Sequence, residues 1–174
     1  MYYYQYDTET GKVTAIAGYD AGFDNYVTSE TNYEIYGISN LTVVNGEIVV
    51  AIEGYRQVAL NTLNDNLFVN RVMNIGNSKY YERYDSHKAV LFLQHFSTTQ
   101  TSYRLPCYGD ETMETRSIYE FSNQTDAVNC MKDIIDYMAE VDLFETEKTA
   151  AINAATTQAE VEAISLTPPT FSLS

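Results

Sequence analysis

The chain has no tryptophan, three prolines, two cysteines and few bases. Ten Lys and Arg stand against 24 Asp and Glu, a formal charge of −14. That balance argues against a phosphate backbone as partner, because such binding needs cations that displace counterions. It disfavours an anionic membrane surface for the same reason. Long apolar runs are missing too: the longest, such as Ala89–Leu93, fall far short of the roughly 20 residues of a membrane span. Neither GxGxxG nor GxxxxGK[ST] occurs, so no glycine-rich phosphate loop is expected. Met1 leads into tyrosines without a basic or an apolar leader region, and no secretory signal is expected. Cys107 and Cys130 form no CxxC pair. A disulfide between them stays open, with reduced, intracellular synthesis as the default.

What is abundant is tyrosine. Of 16 tyrosines, eight lie within residues 1–36. The side chain offers a large contact area with a polar tip, which suits both interfaces and exposed strands. Tyr2, Tyr3, Tyr4, Tyr6, Tyr33 and Tyr36 are therefore the candidate interface residues. With 174 residues, 45% of them hydrophobic, the chain can build one domain or two small ones. Charge is uneven: residues 1–52 hold seven acids and one base, whereas residues 53–122 are nearly balanced.

The pattern predicts an α+β protein. Residues 1–52 read as an antiparallel β module: a strand at Tyr2–Tyr6, a turn through DTETGK with Gly11 at positive φ, and a strand over Lys12–Ala17. A loop over 18–30 and a strand over Asn32–Ile38 follow. LTVV-NG-EIVV, residues 41–50, is a hairpin, since Asn45-Gly46 suits a type I′ turn. The period then becomes helical. Tyr55, Ala59, Leu63 and Leu67 predict a helix from Glu53 to Met73, ended by Gly76-Asn77-Ser78. Asp85 or Ser86 caps a helix, or else a strand, through KAVLFLQHF; its apolar residues surround it, which predicts burial. Short strands or loops are expected at 103–108 and 117–121. Asn123 or Thr125 caps a long helix with one apolar seam, Ala127, Met131, Ile134, Met138 and Val141. It continues or restarts through Glu145–Ala155. The expected segments are a β-rich module over 1–52, a connecting helix over 53–77, a helical domain over 78–166 and an extended tail over 167–174.

Candidate chemistry is sparse. Asp85-Ser86-His87 contains triad residue types, but consecutive side chains point in different directions. His87 and His95 are two helical turns apart, about 12 Å, too far to share one ion. Asp110, Glu111 and Glu114 lack calcium-loop spacing and read as a solvated turn. No catalytic residue, cofactor or metal site is expected. A hydrolase built on a pair of carboxylates is the remote alternative, because nothing in the sequence singles out two of them.

The stretch INAATTQAEVEAI, residues 152–164, reads as helix, sharp turn, helix. Thr157 and Glu160 have the spacing of a capping box. Its wording also resembles the alanine-rich end of many tailed-bacteriophage tail and tail-fibre assembly proteins. Upstream, Arg83-Tyr84-Asp85-Ser86 before an apolar run, Tyr103-Arg104 with Cys107, and the long amphipathic helix are similar in order to a phage tail-associated domain. The opening MYYYQYDTETGK and the hairpin LTVVNGEIV resemble the start and a hairpin of phage tail-fibre-related proteins. A tryptophan common after the last isoleucine of that family is here Ser165-Leu166. The resemblance implies a non-enzymatic virion component made in the bacterial cytoplasm. It implies contacts with other tail or fibre proteins in an oligomeric assembly, while the charge balance leaves nucleic acid and membrane out as expected partners. Its alternative is an assembly chaperone that leaves the finished fibre.

Overall fold

A computed structural model describes residues 1–83, 86–98 and 102–174. The protein is α+β: antiparallel sheets come first and a helical region closes the chain. By its internal contacts the chain forms two units. The first comprises residues 1–63 with 148–166, the second residues 64–147 with 167–174.

The first unit begins with strands β1 (Tyr2–Tyr6), β2 (Val13–Ala17) and β3 (Tyr26–Ser29), a sheet in the order β2-β1-β3 with both pairings antiparallel. The expected loop over 18–30 thus contains a strand, because Tyr26–Ser29 lies beside β1 and Tyr4 pairs with Val27. Strands β4 (Leu41–Val44) and β5 (Glu47–Val50) form the expected hairpin. Asn45 and Gly46 both sit at positive φ, 53° and 82°, as a type I′ turn requires. The Lys12–Thr42 bridge and the Val43 N–H to Gly11 C=O bond of 2.7 Å tie β2 to β4. Tyr4, Val13, Leu41 and Val43 form the core between these strands.

Residues 32–38 do not form the expected strand. The Asn32 side chain accepts the Glu34 N–H at 2.9 Å, a local bond that competes with a ladder. A 3-10 turn, Glu34–Tyr36, results, and a second, Ile38–Asn40, follows it.

Helix α1 (Ile52–Val69) carries the predicted stripe: Ala59, Leu63 and Leu67 are buried. It ends four residues before Met73. The Asn70 amide and the Arg71 guanidinium donate to the carbonyls of Asn66 and Phe68 at 2.8 and 2.9 Å, which satisfies the last helical turn. From there Met73 and Ile75 alternate inward on strand β6 (Val72–Gly76). Gly76-Asn77-Ser78, all at positive φ, therefore turns a β-hairpin rather than stopping a helix.

In the second unit β6, β7 (Lys79–Glu82), β8 (Arg104–Tyr108) and β9 (Arg116–Glu120) form a four-stranded antiparallel sheet in sequence order. Helix α2 (Ser86–Thr98) settles KAVLFLQHF as helical. The expected burial fails, since Val90 and Leu91 are 42% and 50% exposed and only Ala89 and Phe96 are buried. Of its two proposed caps, Ser86 is the first helical residue, while Asp85 lies outside the described residues.

Helix α3 (Gln124–Ala154) runs without interruption. Asn123 is its cap: the side-chain oxygen accepts the Asp126 N–H at 3.0 Å. All five residues of the predicted seam are buried. In the first unit, the Arg56 guanidinium donates twice to the Ala155 carbonyl, at 3.1 and 2.6 Å, just beyond the end of α3. Helix α4 (Gln158–Glu162) opens with the predicted capping box of Thr157 and Glu160. The last residues are extended, and the Tyr137 hydroxyl donates to the Pro169 carbonyl at 3.2 Å.

Candidate interaction site

Alternation along β1 divides the tyrosines. Tyr4 is fully buried, and Tyr2 and Tyr6 pack on the same inner side. Tyr33 and Tyr36 also pack against that core. Ring contacts run from Tyr4 to Tyr33, to Tyr36, and on to Tyr55 of α1, with centroids 5.9, 6.3 and 4.9 Å apart. Five of the six candidate tyrosines are thus engaged in the packing of their own unit.

Tyr3 is the sixth, and strand geometry puts it on the opposite face. Its ring meets that of Tyr26 at 5.4 Å. The register places Tyr3 across from Ala17 and Thr28, and Gln5 across from Ala15 and Tyr26. The outer face is therefore aromatic and small-polar, and none of these residues is charged. All seven acids of residues 1–52 lie off it: in the turn after β1, the loops on either side of β3, the 3-10 turn, and the start of β5. Each of the seven is exposed. An uncharged patch with aromatic area matches the centre of a protein interface, where charged residues are depleted. Tyr26 is not among the candidates of the sequence, where residues 18–30 have the composition of a loop. The signal available was the period of two in YYYQY, which separates Tyr3 from its neighbours.

The residues weighed for chemistry fall elsewhere. His87 and His95 are exposed on α2, and Asp85 is outside the described residues. Asp110 accepts bonds from the Thr112 hydroxyl and from the N–H groups of Glu114 and Thr115. These bonds, that of the Thr112 hydroxyl first, hold its carboxyl well below the usual carboxylate range. It organises a turn, as expected of a solvated acidic loop. Glu120, Asp126 and Asp133 line a cleft of about 280 Å³. Asp126 is tied to Asn123, and Asp133 accepts the N–H and hydroxyl of Ser174 at 2.9 and 3.0 Å. No group of three or more metal-ligating side chains gathers among the described residues. Cys107 and Cys130 are both buried and unbridged. Burial pushes the Cys130 thiol up to about 12, with Asp133 adding to the effect. No described helix is long and apolar enough to cross a membrane.

No family model, no curated protein and no solved structure matches the chain.

Proposed function

We propose that the chain is a non-enzymatic structural component of a bacteriophage tail or tail-fibre apparatus. It acts through protein–protein contacts made by the N-terminal β module. The order of sequence motifs supports the assignment to a tail. The observation that carries the contact role is the uncharged outer face of β2-β1-β3, with Tyr3 against Tyr26. Tyrosine anchors desolvated at the centre of a patch carry most of the energy of such contacts. The partners are other tail or fibre proteins in an oligomeric assembly, with no role for nucleic acid or membrane. The site of action is the virion, after synthesis in the host cytoplasm.

Mass spectrometry of purified particles tests the assignment, since a structural component is retained at fixed stoichiometry. A chain needed for fibre folding yet missing from particles would instead be an assembly chaperone. Tyr3→Ser combined with Tyr26→Ser tests the face itself. The double variant is expected to fold and melt near the parent but to be lost from particles. Full incorporation of a folded double variant removes this face from the contact.

A further inference from the structure

The β module of the first unit has an open seam. Its pairings run β3-β1-β2, then through the Lys12–Thr42 bridge to β4 and β5. Val27 of β3 and Ile48 and Val50 of β5 reach the same core as Tyr4, so the five strands curl around one interior. Among the described residues no strand pairs with the outer edge of β3 or of β5. These two edges border a common groove of about 230 Å³, lined by Thr28, Ser29, Tyr33, Gly46, Glu47 and Ile48.

Strand direction fixes what fits there. β1 is antiparallel to both β2 and β3, β2 is antiparallel to β4, and β4 to β5. β3 and β5 consequently run the same way. One strand of opposite direction can pair antiparallel with both edges. In a two-residue hairpin, Glu47 and Val49 bond toward β4, which directs the backbone groups of Ile48 and Val50 outward. Exposed edge groups of this kind are templates for an added strand.

Charge selects the occupant. Glu47 lines the groove, and Glu30 and Glu34 directly follow Ser29 and Tyr33. The only base of residues 1–52 is Lys12, at the far side of β2. A second copy of this strongly acidic chain is disfavoured.

We propose that an extended segment of a partner protein, bearing Lys or Arg and alternating apolar residues, inserts between β3 and β5 antiparallel to both. It rests on the contact-making reading above and specifies the mode and chemistry of one such contact. The segment's inward side chains meet the core around Tyr4, and its bases meet the three glutamates.

The test uses the isolated full-length chain, so its outcome is independent of whether the chain is found in particles. The isotope-labelled protein is titrated with the peptide Lys-Thr-Val-Thr-Val-Thr-Lys and its amide resonances are followed. Expected shifts fall on residues 26–29 and 47–50. A spin label at the peptide N-terminus should broaden Val50, and one at the C-terminus should broaden Tyr26. Glu47→Lys should weaken the peptide about tenfold, whereas Glu9→Lys, in the turn after β1, should not. Absent shifts, shifts elsewhere or the reversed polarity overturn the proposal. Self-association of the chain through the same residues overturns the choice of occupant.

Discussion

The Tyr4 hydroxyl accepts the Tyr33 backbone N–H at 2.8 Å, and the two rings meet edge to face at 5.9 Å between centroids. The same hydroxyl donates to the Thr31 carbonyl at 2.8 Å. One side chain from β1 thus satisfies two backbone groups of a segment with no ladder of its own. Tyr4→Phe should cost about 1–3 kcal/mol, because it leaves both groups without this partner. Urea unfolding checks it. Tyr3→Phe on the outer face should stay within about 0.5 kcal/mol of the parent.

Gly11 carries the contact between β2 and β4. Its φ is +73°, and a Cβ there would lie 2.6 Å from the Val43 carbonyl oxygen. That oxygen is backbone and cannot move aside like a flexible side chain. Gly11→Ala should therefore destabilise by about 2 kcal/mol or more, combining left-handed strain with the clash. A lowered denaturation midpoint is the readout, with the hairpin amides of residues 41–50 exchanging faster.

Alkaline pH should weaken the protein in a defined window. The Cys130 thiol rises from 9.0 to about 12 on burial, so the folded state keeps its proton where the unfolded state releases it. Its contribution is full below about pH 9 and is lost as pH climbs toward 12. Burial also raises Tyr4 and Tyr137 above 10.0, which adds to the loss at the upper end. Unfolding free energy against pH should fall through this range, and Cys130→Ala should flatten the first part. At pH 8 the folded thiol should resist alkylation and the unfolded one should react.

Thr157 and Glu160 close the capping box of α4, with the Glu160 carboxylate accepting the N–H groups of Thr156 and Thr157 at 2.6 and 3.2 Å. Thr157→Ala should cost about 1 kcal/mol. The Thr156 N–H, chief among several donors, lowers the Glu160 pKa. Its contribution is accordingly present above the usual glutamate pKa and lost as pH falls through the lowered value. Glu160→Gln should remove that acid sensitivity in a pH series of melting curves.

Local chemistry made several elements legible. Asn45-Gly46 and the capping box are short-range patterns whose physics is complete within a few residues, the α3 seam is a sustained helical period, and each folds as read. The misreadings share a cause. Tyr26–Ser29 is a strand because β1 lies beside it, and Met73 leaves α1 because Asn70 and Arg71 satisfy the helix end. KAVLFLQHF looks buried by composition, yet which face meets a core depends on distant neighbours. The candidate site was half legible: tyrosine content marked the module, but only the pairing of β1 with β3 joined Tyr3 to Tyr26.

The link between Arg56 and the Ala155 carbonyl spans 99 residues. A ribosome adds about 5–20 residues per second, so during synthesis Arg56 waits on the order of ten seconds for its acceptor. Through that interval the N-terminal strands exist without residues 148–166, which belong to the same unit. The first unit thus becomes complete only after the intervening residues 64–147 of the second unit have been synthesised.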